Sequence, residues 1–310
     1  MSRTALTVIV FPGGHNWPLF VAEDKGLFAR EEIEVAVTPT PGSVYQLTNL
    51  IAGTFDIGMT AIDNVIAYDE GQGEVRVEGT PDLFAFMGGN HGFLSLVVQP
   101  EITTYADLKG AALSVDALTT GFAFVLRKML ALNGLGAGDY RLVPVGGTLE
   151  RWHALQQKAH AGTLLGTPFD LMGEAAGLRV LGKAVEALGS YEALVGATRR
   201  SWAAAHRTEL AGFIRAYVGA LGWLFDRANR AEAIESVLKR IPQMSPALAA
   251  KTYDVFCAPG RGLHPRAALD IEGVRTVLAL RNEYGRPRTP LTDPGKYYDL
   301  SYYDAATAAR

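Results

Sequence analysis

The residues best suited to chemistry sit where apolar, strand-like runs give way to helix-like ones. Thr119-Thr120-Gly121 places two hydroxyls and a glycine ahead of a helical run that begins at Phe122. A helix start offers unpaired N–H groups and the positive end of the helix dipole, so such a loop can hold a carboxylate, sulfonate or phosphate. It can equally be no more than a cap. Thr40-Pro-Gly-Ser43, Thr60-Ala-Ile-Asp63-Asn64, Gly146-Gly-Thr148 and Thr167-Pro-Phe169-Asp170 repeat the pattern. The first loop, Pro12-Gly-Gly-His15-Asn16-Trp17, adds an indole beside two hydrogen-bonding side chains. That mixture suits a ligand pocket, although Trp17 could equally pack the loop against its own helix.

Acid–base candidates are few. Asp63 opens a helix and reads first as a cap and second as a general base. Asn90 and His91 lie in Gly88-Gly-Asn-His-Gly92, between two strand candidates with no room for a helix. His91 could touch a ligand or pin a hinge. Glu150, Arg151 and His153 share a helix start, and their type favours a solvated face. The nucleophile elbow G-x-S-x-G, the glycine fingerprint G-x-G-x-x-G, the Walker A sequence and H-E-x-x-H do not occur. The histidine spacings imply no metal site, and no cofactor is implied. The chemistry reads as recognition rather than turnover.

These loops need elements to position them. Strand candidates run over 5–11, 33–38, 55–60, 82–87, 93–98, 112–115, 141–145, 163–166, 179–181 and 193–198. Helical patterns fall between them at 44–53, 63–71, 120–133 and 148–160. This alternation predicts α/β layers with largely parallel sheets. Beyond Thr198 the pattern turns helical, over 201–228, 230–241, 246–257 and 267–284, with an irregular tail from Arg286. The chain crosses at Gly88–Gly92 and returns near 185–195. The sequence thus divides into one lobe of residues 1–88 and 195–310 and a second of 89–194, with a ligand cleft between them.

The bulk properties agree with a globular protein. The 310 residues are 48% hydrophobic and 20% charged, with a net charge of −3. A pI near 6.1 and scattered Lys and Arg give no case for nucleic-acid binding. The lone Cys257 excludes an internal disulfide and reads as a small buried apolar residue. No run reaches the ~18 apolar residues of a membrane span. The start carries no apolar signal segment as written, which leaves a cytoplasmic protein or a processed periplasmic one.

The opening unit, with Pro18-Leu-Phe-Val-Ala-Glu-Asp-Lys-Gly-Leu-Phe28, resembles the substrate-binding proteins of nitrate, sulfonate and taurine importers and the related thiamine-precursor proteins. Gly53-Thr-Phe-Asp-Ile-Gly58 and Tyr105-Ala-Asp-Leu-Lys-Gly110 extend the likeness over roughly residues 5–200. The resemblance implies an α/β, two-lobed type 2 periplasmic-binding-protein fold with a helical C-terminal part. It implies a small-molecule ligand, anionic or aromatic-polar, and an ABC permease as partner. Carried over by position, the ligand loops fall at 14–17, 42–43, 60–64, 90–91, 119–122 and 167–169. Enzymes on this fold leave an alternative open, with Asp63, His91 or His15 as acid or base.

Overall fold

A computed structural model describes residues 3–79, 81–258 and 262–308. The Val- and Ile-rich runs form strands β1 (Thr4–Val10), β2 (Ile33–Pro39), β3 (Ile57–Ala61), β4 (Leu83–Asn90) and β5 (Leu94–Val98). They continue as β6 (Ala112–Val115), β7 (Arg141–Pro144), β8 (Gly162–Gly166), β9 (Arg179–Lys183) and β10 (Leu194–Arg199). The strands build two sheets, ordered β2-β1-β3-β10-β4 and β7-β6-β8-β5-β9.

The expectation of largely parallel sheets needs correction, because each sheet contains one reversed strand. β10 runs antiparallel to β3 and β4, and β5 runs antiparallel to β8 and β9. These are the strands that enter a sheet directly after the chain crosses between lobes. Neither strand is reached by a β-α-β crossover within its own sheet: β5 follows β4 of the other sheet directly, and β10 follows β9 of the other sheet through the short helix Ala184–Leu188. The first crossing is His91-Gly92-Phe93, with Gly92 at φ +90° and Phe93 at φ +49°. Gly89 is required beside it, since a Cβ there would sit 2.8 Å from the Leu194 carbonyl oxygen.

The motifs behind the family resemblance do structural work. Asp56 accepts hydrogen bonds from the Thr7 N–H (2.8 Å) and hydroxyl (2.9 Å), which ties the approach to β3 onto β1. Asp107 accepts from the Thr103 and Thr104 N–H groups at 2.9 and 2.8 Å, and those bonds hold its carboxyl down to about 2.

The C-terminal helices cover one face of the first sheet. Helices Arg207–Phe225, Arg230–Arg240 and Pro246–Phe256 pack on Val8, Val10, Trp17, Phe84 and Phe86 in a continuous core. The single helix expected over 201–228 breaks at His206 (φ −126°, ψ 42°), whose ring stacks on Trp202 with centroids 4.7 Å apart. The helix expected over 267–284 begins at Ile271, because the preceding Arg266 and Ala267 adopt positive φ. The tail is not wholly irregular either. It bridges β4 at Ala85–Tyr298 and ends in a helix, Ser301–Thr307, whose Tyr302 packs on Phe84.

Candidate functional site

Between the lobes lies a cleft of about 830 Å³, its open mouth included. Two helices begin on its second-lobe wall, Gly121–Leu132 and Thr148–Gln156, and no side chain caps either of them. The Thr120 hydroxyl donates instead to the Ala117 carbonyl at 3.0 Å. The first-turn N–H groups of both helices are thereby left for a ligand. Phe11 and Pro12 from the first lobe, Phe122 and Phe169 from the second and Phe93 of the crossing all line the cleft. These walls suit a ligand with an apolar or aromatic body.

Of the residues singled out in the sequence, His15, Asn64, Asn90, Thr120, Gly121, Phe122, Thr167 and Phe169 line the cleft. Asn64 is held by a bond from its Nδ2 to the Thr60 hydroxyl (3.0 Å). Asn90 Oδ1 accepts from the Gly92 N–H at 2.7 Å, while its buried Nδ2 finds no protein acceptor. His15 Nε2 is likewise buried and unpartnered. Burial pushes the His15 pKa down to about 4, against a weaker opposing contact with the Phe11 backbone. The imidazole is therefore neutral at pH 7. Unpaired buried donors and acceptors are costly, and they mark where a ligand can be read.

Asn16, Trp17, Ser43, Thr60, Asp63, His91 and Thr119 do not line the cleft. Trp17 is 1% exposed, donates its indole N–H to the Ala233 carbonyl (3.0 Å), and packs edge-on against Tyr253 and Phe256. Asn16 donates to the Phe11 carbonyl at 2.7 Å. Cys257 is buried near this same core, and burial raises its thiol pKa.

Of the remaining residues, Ser43 and Thr119 tie the lobes together, while Thr60 and Asp63 bond within the first lobe. The Ser43 N–H donates to Asp116 Oδ2 (3.1 Å), and the Gly147 N–H donates to the Pro41 carbonyl (2.9 Å). Thr119 donates its N–H (3.1 Å) and hydroxyl (2.7 Å) to Glu74 Oε2 across the same seam. Asp63 forms a fully buried ion pair with Arg281, with Nη2–Oδ2 at 2.8 Å and Nε–Oδ1 at 2.7 Å. Arg281 also donates to the Thr119 carbonyl at 2.9 Å. Asp63 is thus neither a helix cap nor free to act as a base. These contacts describe a closed arrangement of the lobes.

Arg151 is the cleft residue whose importance the sequence least announces. It is 4% exposed and lines the cleft. Its guanidinium donates to the Gly146 carbonyl (3.1 Å), the Thr163 hydroxyl (3.1 Å), the Leu164 carbonyl and the Thr148 hydroxyl (3.3 Å). All four acceptors are neutral, and among the described residues no carboxylate forms an ion pair with it. Asp116 and Glu150 act on it only through space, while burial lowers its pKa from the ordinary value. Buried charges are normally paired. The usable signal was spacing: Thr148, Arg151 and Leu155 lie three and four apart, hence on one helix face with buried Leu155.

Several solved structures share this architecture. A protein from Bordetella bronchiseptica RB50 superposes with a TM-score of 0.82 at 21% identity, covering 98% of this chain and 97% of its own. The periplasmic nitrate-binding protein NrtA from Synechocystis PCC 6803 gives 0.82 at 13% identity, covering 98% and 88%. The alkanesulfonate-binding protein SsuA from Xanthomonas axonopodis pv. citri, bound to MOPS, gives 0.74 at 17% identity, covering 95% and 96%. At these identities the likeness establishes the fold, the two-lobed periplasmic-binding-protein architecture. No curated protein sequence matches the chain. Residues 15–231, however, match the family described as NMT1/THI5 like, and the chain belongs to that family.

Proposed function

We propose that this protein is the solute-binding component of an ABC-type importer, closing its two lobes over a small organic anion with an apolar or aromatic body. One observation carries the reading. A buried arginine bonded only to neutral acceptors lines a largely apolar cleft beside two uncapped helix starts, while the lining carboxylate, Asp116, already accepts from the Ser43 N–H. An anion bound there supplies the direct ionic partner that Arg151 lacks, since Asp116 and Glu150 reach it only through space. The aromatic walls bury the rest of the ligand, and hinge motion of the lobes admits and releases it.

The relatives' names support this reading, since they include nitrate- and alkanesulfonate-binding proteins and a ligand-binding component of an ABC-type import system from Staphylococcus aureus. The partner is then an ABC permease, and the working compartment lies outside the cytoplasmic membrane. Among the described residues no helix is long and apolar enough to cross a membrane. The enzymatic alternative has less support from geometry. Of its acid–base candidates, Asp63 is engaged with Arg281, His91 lies outside the cleft, and only His15 lines it.

A thermal-shift screen of alkanesulfonates, arylsulfonates and aromatic carboxylates, each beside its neutral amide, tests the proposal. An anion present at one hundred times its Kd stabilises the fold by ~2.7 kcal/mol, or about 4 °C for a chain of this length. Stabilisation by the amides alone overturns the anionic assignment.

A further inference from the structure

We infer that the helix Ile271–Tyr284 is the pivot on which the lobes turn, so that they part along the edge marked by β2 and β7 while the floor of the cleft stays assembled. The inference rests on the reading of the protein as one that opens and closes. It starts from which contacts between the lobes are deep and which are slight.

The helix Ile271–Tyr284 belongs to the first lobe but begins against the second crossing. A Cβ on Gly273 would sit 2.3 Å from the Glu192 nitrogen, so helix and crossing meet backbone to backbone. The N–H of Asp270, the N-cap, donates to Glu192 Oε2 at 2.8 Å. Further along, the helix lies on Gly121–Leu132 of the second lobe. The Tyr284 and Phe124 rings have centroids 5.8 Å apart, and the Arg281 guanidinium lies 5.2 Å from the Phe124 ring centre. Lys128 Nζ donates to Glu283 Oε2 at 2.9 Å. Phe124 and Met129 share one buried core with Val277 and Leu280, and with Val65 and Ile66 of the first-lobe helix Ile62–Asp69. Parting the lobes here would expose that core to water.

Polar contacts pin the same place. All three polar groups of Thr119, a second-lobe residue, are held by the first lobe: its N–H and hydroxyl by Glu74, its carbonyl by Arg281. Arg281 is fully buried and also donates to Gln72 Oε1 at 2.9 Å, besides its pair with Asp63. Withdrawing Thr119 would leave an N–H of that buried guanidinium without its acceptor. Gly121 follows so closely that a Cβ there would lie 2.4 Å from Asp63 Cγ.

The far edge is different. Both crossings join the β10-β4 edge of the first sheet to the β5-β9 edge of the second, and β2 and β7 lie at the opposite edges. There the loops after β2 and β7 meet through a backbone hydrogen bond, from the Gly147 N–H to the Pro41 carbonyl at 2.9 Å. Trp17 and Phe256 of the first lobe and Trp152 and Phe169 of the second lie in two separate cores. Opening on that side splits no shared core. The Gly121 helix start then stays in register with Asn64 of the first lobe, while Phe169 and the Thr148 helix start swing away. Hinged proteins absorb such rotation at a few residues of their crossings. The floor is thus formed before closure, and a ligand docks on it first.

Pulsed electron-spin distance measurement on the ligand-stripped protein tests the pivot. Nitroxide labels go on exposed sites in a Cys257→Ala background: Leu132→Cys with Ala279→Cys across the pivot, and Tyr45→Cys with His153→Cys across the far edge. If Cys257→Ala melts early, the native thiol is kept, since its burial shields it from the label. The far-edge distance distribution should be about twofold wider than the pivot one, or more. Equal widths overturn the proposal, as does a pivot pair wider than the far-edge pair. Anion binding is read separately in the thermal-shift screen, so the pivot can fall while the binding function stands, and the reverse.

Discussion

Replacing Arg151 with methionine separates the cleft's charge from its architecture. Methionine keeps most of the apolar stem and removes the guanidinium. A charge-assisted hydrogen bond is worth about 1.5–3 kcal/mol, so affinity for the best anion should fall about 10- to 150-fold. The ligand-free fold should change far less. The substitution loses four hydrogen bonds from a charged donor, together about 6 kcal/mol at the low end of that range. Removing a buried, ion-unpaired guanidinium regains several kcal/mol of desolvation. The net should lie within about 2 kcal/mol, or ~3 °C in Tm. Calorimetric titration of wild type and R151M with an anion and its neutral amide, beside ligand-free melts, reads both quantities. Equal affinity of R151M and wild type for the anion would falsify the role assigned to Arg151. Arg151→Lys should recover only part of the affinity, since an ammonium lacks the planar fork.

Other consequences can be measured at once. Trp17→Phe removes the donor to the Ala233 carbonyl and should cost about 1–3 kcal/mol in denaturant melts, with ligand affinity unchanged within twofold; a large affinity loss would place the indole in the site after all. Asp63→Asn leaves Arg281 buried with half its partner, and should lower Tm by about 5–8 °C, from the 3–5 kcal/mol of a broken buried pair. His15 is depressed to about 4 in the folded state, so the unfolded chain binds the extra proton between pH 6.5 and 4. Stability should therefore fall by about 3 kcal/mol as pH drops through that window, and His15→Gln should remove that part of the slope. Gly121→Ala would drive a Cβ into the Asp63 carboxyl group and should weaken both stability and binding; an unchanged melt contradicts the packing described.

Much of this molecule is written in local pattern. The period-2 runs located the strands, and the absence of a helix between β4 and β5 located a crossing. The reversal of β5 and β10 was less legible, because strand direction depends on which sheet a crossing strand enters. Residue type misled in both directions. Trp17 beside His15 and Asn16 looks like a selective tip, yet the tight turn carries the indole back into the core under Tyr253. Arg151, flanked by Glu150 and His153, looks solvated, yet its helix turns that one face inward. Arg281 escaped notice because its partner, Asp63, lies 218 residues away. No local spacing encodes such a pair.

The central claim is that the lobes close over one small organic anion and release it unchanged. Its most direct test is calorimetric titration of ligand-stripped protein with the strongest hit of the anion panel, followed by mass spectrometry of the recovered compound. The account predicts one site per chain, a negative heat-capacity change from apolar burial, and a compound recovered intact. A compound recovered chemically altered, or an affinity indifferent to removal of its charge, would contradict it.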